Sequence, residues 1–142
     1  MTEDICISTP KLSAIALSVL LLGSIAMAHA ADVKLSGAEE VPAVQTSATG
    51  EGKINVAPDK SVSGSINTRG VNGSAAHIHL GAAGKAGPVV ITLDKIADTV
   101  WGVPDHARLT DAQYKSYQAG DLYVNVHSVA HNDGEIRGQI KP

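Results

Sequence analysis

The sequence predicts an all-β fold: an antiparallel Greek-key sandwich or barrel of about seven strands, with one short helix inserted late. Three observations lead there. Short apolar–polar alternations recur through residues 31–142, the period-two pattern of half-buried strands. Fourteen glycines punctuate the chain, consistent with a turn-rich β domain. Helical signals are confined to one short segment, so the crossover helices that a parallel sheet needs are missing. With no Phe, one Trp and three Tyr, the core falls to Val, Ile, Leu and Ala.

The elements follow in order. Val33-Lys34-Leu35 alternates and reads as a first, edge-like strand. Gly37 to Pro42 ends it, because Pro42 has no N–H to give a ladder. Glu39 and Glu40 are adjacent, so a strand would aim them at opposite faces; solvated surface charge is the simplest reading. Gly52–Val56 and Ser61–Thr68 alternate on either side of Pro58-Asp59-Lys60 and read as a hairpin. Asn72-Gly73 marks a tight turn before a strand through Ala75–Leu80. The run 81–88 is a glycine-rich loop. It lacks the Lys-Ser/Thr pair and following helix of a phosphate cradle, so a flexible connection is expected. Val89–Leu93 reads as a buried strand.

From Asp94 to Gly120 the rhythm breaks, and Trp101 and His106 fall in an irregular stretch. Thr110-Asp111-Ala112-Gln113 has the form of a capping box, and Gly120 sits where a helix-ending glycine belongs. A helix over 111–119 is predicted, with Tyr114 and Tyr117 on one face, packed on the sheet. Leu122, Val124 and Val126 then point inward while Tyr123, Asn125 and His127 point outward. A turn at Asn132-Asp133-Gly134 leads into a final strand, with Ile136 and Ile140 inward.

Composition bounds the function. Lys11, the apolar run 12–22 and the small-x-small site Ala28-His29-Ala30 read as a secretory signal over 1–30, cleaved after Ala30. The run is short for a spanning helix, which needs roughly 20 apolar residues. Glu3 and Asp4 are unusual so early in a signal, which points to a start further along; an uncleaved anchor is the competing reading. The predicted mature domain is 31–142, in a periplasmic or secreted setting, with no membrane span. Cys6 is the single cysteine and lies before the cut, so disulfide and thiolate chemistry are excluded from that domain. A net charge of −3 gives no basic footprint for nucleic acid.

The candidate site is built on Ala76-His77-Ile78-His79-Leu80. On a strand, His77 and His79 share one face, and Ala76, Ile78 and Leu80 share the other. His127 lies on an outward face of a later strand, and His131 is four residues beyond it, across the start of a turn. If the two strands are neighbours, His77, His79 and His127 converge, and His131 can fold over as a fourth ligand. Neutral imidazole suits copper(II), zinc and nickel. Copper(II) stands highest in the divalent affinity order, so copper is the expected metal and zinc the alternative. Asn125, Asp133 or Glu135 would accept the outer ring N–H groups and fix the tautomers. The competing reading gives these histidines only structural hydrogen bonds, with no metal. His106 has no spacing argument and is left out.

Several blocks carry a family resemblance. Leu35-Ser36-Gly37-Ala38-Glu39-Glu40-Val41-Pro42 resembles the opening of the CHRD domain, named from chordin. Ala76–His79, Gly87–Val90, Leu109-Thr110, Ala119–His127 and Gly134–Gln139 resemble its later blocks, in family order. The resemblance implies a secreted single-domain binding module and does not imply an enzyme. Its chordin branch implies an envelope or extracellular protein as partner. The His-x-His strand and glycine-rich loop also resemble the copper strand of copper–zinc superoxide dismutase. The mature chain lacks that family's cysteine pair and zinc loop, so dismutase activity is not implied.

Overall fold

The structure is a computed structural model that describes residues 30–142. The predicted signal segment therefore lies outside the described residues, apart from Ala30. Among the described residues no helix is long and apolar enough to cross a membrane.

Nine strands form one antiparallel sheet curled into a nearly closed barrel. They are β1 (Ala30–Ser36), β2 (Thr49–Val56), β3 (Val62–Arg69), β4 (Gly73–Leu80) and β5 (Val89–Thr92), followed by β6 (Asp94–Ala97), β7 (Val100–Gly102), β8 (Leu122–Ser128) and β9 (Ile136–Ile140). Their order across the sheet is β5-β4-β8-β9-β1-β2-β3-β7-β6. The run 89–97 joins the two ends: β5 pairs with β4, β6 pairs with β7, and only Leu93 lies between them. Leu93 is buried and its N–H donates to the Ala76 carbonyl at 2.9 Å, which draws the seam together.

The interior follows from the alternation. Val33 and Leu35 on β1, Ile54 and Val56 on β2, Ile66 on β3, Ala76 and Ile78 on β4, and Leu122, Val124 and Val126 on β8 meet inside, with Ile136 and Ile140 of β9. Area removed from water at about 25 cal/mol per Å² makes this cluster the main term holding the fold together. The β2–β3 hairpin turns through Lys60 in the left-handed region at φ 71°, with the Asp59 carboxylate accepting from the Ser61 N–H and hydroxyl.

Two strands exceed the expected seven, and both lie in the stretch expected to be irregular. All four residues of β6 are exposed, so no alternation marks it. Trp101, buried on β7, anchors the pair, and Lys95 of β6 lies over its ring. The first strand is also not at an edge. β1 makes seven register pairs with β2 and meets β9 at Ser36 opposite Arg137.

The helix α1 (Asp111–Gln118) forms as its caps dictate. Thr110 Oγ1 accepts from the Gln113 N–H, and the Gln113 side chain accepts from the Thr110 N–H. At the far end Gly120, at φ 81°, donates to the Tyr117 carbonyl and Asp121 donates to the Ser116 carbonyl, a Schellman closure. Tyr117 is buried in the core with Tyr114 packed beside it, as the face-sharing pair predicts.

Candidate metal centre

β4 and β8 are neighbours, and their register sets the site. Ala75 lies opposite His127, His77 opposite Asn125, and His79 opposite Tyr123. Side chains of directly paired residues share a face, so His77, His79, Tyr123, Asn125 and His127 all stand on the barrel's outer side. Arg137 of β9 joins them opposite Asn125.

His77, His79 and His127 each offer a ring nitrogen, and the three atoms lie within 4.8 Å of one another. His77 Nδ1 is 2.9 Å from His127 Nε2. Backbone carbonyls fix two of the rings: His79 Nδ1 donates to the Gly87 carbonyl at 2.9 Å, and His127 Nδ1 to the Asn132 carbonyl at 2.8 Å. A carbonyl only accepts, so each Nδ1 carries the proton and each neutral ring presents a lone pair at Nε2. His79 Nε2 is buried and has no hydrogen-bond partner. Burial, above all, holds the imidazoles of His77 and His79 below the ordinary histidine range; the neighbouring His127 adds to this in both, while the bond to Gly87 opposes it in His79. Rings kept neutral are in the form that binds a metal.

Two expectations change here. His131 is not in the group. Its backbone ties the 128–134 turn, and its side chain lines a cleft of about 350 Å³ shared with Glu40, Val41 and Gly134. Nor do Asn125, Asp133 or Glu135 take the ring protons: carbonyls of Gly87 and Asn132 do, and the Glu135 carboxylate instead accepts from the Thr46 hydroxyl at 2.8 Å. Main-chain acceptors carry no side-chain signature, so residue type alone does not reveal them.

The outer face is not solvated as the alternation suggests. Tyr123 and Asn125 are each 3% exposed, and Arg137 is 2% exposed. Loops fold over them. The 81–88 loop, expected to be a flexible connection, is pinned: the Gly81 and Ala82 carbonyls accept from Gln139 and Arg137, and the Gly87 N–H donates to the Tyr123 hydroxyl. A Cβ at Gly87 would sit 1.6 Å from the Leu80 carbonyl oxygen, so only glycine fits there. Tyr123 stacks on His79 at 4.9 Å between ring centroids, and the Arg137 guanidinium lies 3.5 Å over the other ring, that of Tyr123. Cation, phenol and imidazole form one column.

Glu40, read from the sequence as surface charge, is 7% exposed. Removal from water pushes its carboxyl up to about 7, opposed chiefly by the Arg137 charge. Its Oε1 atom has no partner. A Cβ at Gly134 would sit 2.5 Å from that oxygen, and Gly134 is at φ 127°, so this turn also requires glycine. Glu39, next to it, is exposed.

Fold and site together define a small antiparallel β-barrel domain carrying a cluster of three imidazoles on its covered outer face. A family model described as CHRD domain matches residues 31–140, and the chain belongs to that family. No curated protein and no solved structure matches it.

Proposed function

We propose that this is an exported CHRD-domain binding protein that takes up a divalent transition metal through His77, His79 and His127, copper(II) being the expected ion and zinc the alternative. The observation that carries the reading is the convergence of three ring nitrogens within 4.8 Å. Metal–nitrogen bonds of about 2.0–2.1 Å allow at most about 4.2 Å between two ligand nitrogens, so any pair near the 4.8 Å limit closes by a small ring movement when an ion binds. The 2.9 Å contact between His77 and His127 is short enough for two ligands of one ion, about 90° apart. The partnerless lone pair of buried His79 supports the same reading, since a buried acceptor without a donor is costly. In this reading the domain binds and does not catalyse.

Calorimetric titration of copper(II) and zinc(II) into the domain tests the reading. We expect one site. The His77→Ala/His79→Ala double variant should lose more than the roughly 10–100-fold that changes behind a metal ligand cost. His131→Ala should bind as the wild type does. Equal affinity in wild type and double variant would refute the proposal. Export rests on the Lys11, 12–22 and Ala28-His29-Ala30 pattern. Mass spectrometry of protein recovered from the cell envelope or medium should give a chain starting at Ala31; an intact first segment in the cytosol would contradict it.

A second reading has its own observation. The His77–His127 hydrogen bond and the two carbonyl anchors by themselves tie β4, β8 and two loops together. The domain would then be a protein-interaction module of the envelope with structural histidines. Chelator-insensitive capture of a defined envelope partner, together with no metal binding, would favour it.

A further inference from the structure

We infer that an ion held by His77, His79 and His127 is coordinatively unsaturated, and that the open position takes a small monodentate anion from solvent. The inference rests on the three-histidine reading and adds the class of ligand that the site recruits.

Among the His, Cys, Asp and Glu side chains of the described residues, three supply donors. No fourth His, Cys, Asp or Glu atom joins the group among the described residues. Of the nearby oxygens, those of Tyr123 and Glu135 are committed elsewhere, while Glu40 Oε1 and Asn125 Oδ1 have no partner. The Tyr123 hydroxyl accepts from the Gly87 N–H at 3.2 Å, with its ring held between His79 and Arg137. The Glu135 carboxylate is bonded to Thr46, and Glu40 Oε1 lies under Gly134, whose own Cβ position it would block. Copper(II) and zinc take at least four ligands, and three protein ligands leave a position for water or another donor.

Access and charge then select the ligand. His79 is buried against Tyr123 and forms the closed wall, while His77 and His127 are partly exposed. The remaining coordination is therefore reached from solvent, past their edges. All three ligands are neutral, so the ion keeps its full double charge. The permanently charged guanidinium of Arg137 stands behind Tyr123 and adds to the positive field. A small anion is attracted to this position more than a neutral donor of the same size. Binding is a ligand exchange in which the anion's lone pair replaces that of a bound water, with no change of oxidation state.

Azide is the probe. Copper(II)-loaded full chain is titrated with sodium azide and followed by electron paramagnetic resonance and visible absorption. The expected result is a saturable new azide-to-copper absorption band with a shifted copper spectrum, in wild type and in His131→Ala alike. A nitrogen-coupled copper spectrum that azide leaves unchanged would overturn the inference, because the ion would then be saturated by the protein. Azide sensitivity gained only in His131→Ala would overturn it too, by making His131 the fourth ligand. A protein that shows no nitrogen-coupled copper before azide is added would sink the three-histidine reading itself, and this inference with it.

Discussion

The two faces of β4 and β8 are buried by opposite means. On the inner face, Ala76, Ile78, Leu122, Val124 and Val126 join an apolar cluster in which the indole N–H of Trp101 is a buried polar group without a partner. On the outer face, His79, Tyr123 and Asn125 are buried with Arg137 and Glu40 under folded-back loops. That second interior is polar, and it is incompletely satisfied: His79 Nε2, Asn125 Oδ1 and Glu40 Oε1 all lack partners. Burying polar groups without partners costs roughly 1–3 kcal/mol each. Three such atoms clustered beside one another suit a binding site better than a stabilising core. The inner face makes the barrel, and the outer face uses the rigidity that the barrel provides.

The two roles come apart on a single strand. Ile78, 1% exposed, lies between His77 and His79 and faces the interior. Ile78→Ala is expected to cost about 2–5 kcal/mol, read as a fall in urea midpoint, while the folded fraction keeps its metal stoichiometry. His77→Ala should do the reverse, with metal binding lost and the urea midpoint moved far less. A large loss of stability in His77→Ala would erase the distinction between the faces.

Glu40 tests the cost of the polar interior. Its carboxyl titrates near 7 in the folded protein and near 4.5 unfolded, so between those values the native state holds more protons. Stability then falls as pH rises through this window, by at most about 3 kcal/mol. His77 and His79 act in the opposite direction: their lowered values mean that stability is lost as pH falls below the usual histidine range. Glu40→Gln isolates the carboxyl, because the histidine contribution cancels in the difference from wild type. The variant should match wild type at pH 4.5 and exceed it at pH 8. Parallel curves across the window would show that Glu40 is not buried as described.

The smallest expected effect lies outside both interiors. Thr110→Ala removes the capping box of α1 and should cost about 1 kcal/mol, with metal affinity unchanged. A change in metal binding would reveal coupling between helix and site that the geometry does not provide.

These contrasts explain what the sequence made legible. α1 was readable because its caps are local: Thr110, Gln113 and Gly120 act within one helix's length. The inner faces of β2, β3, β4, β8 and β9 were readable because alternation records one buried side. β6 was not, since none of its residues is buried and its pairing with β7 leaves no pattern. At the site, the pairing of His77 with His79 followed from period two, and their meeting with His127 from one assumption about strand neighbours that the β4–β8 ladder fulfils. Glu40 and Arg137 stayed hidden. Alternation places Arg137 on the outer face but does not say that the 81–88 loop closes over it. The one available signal was a run of polar residues on the face shared by Tyr123, Asn125 and His127.

The most direct test is anomalous diffraction from crystals grown with copper(II) or zinc(II). We expect one ion at about 2.0–2.1 Å from nitrogens of His77, His79 and His127, with the His79 and His127 Nδ1 bonds to Gly87 and Asn132 intact. An empty cluster with the 2.9 Å His77–His127 hydrogen bond preserved, whether or not metal binds elsewhere, would contradict it.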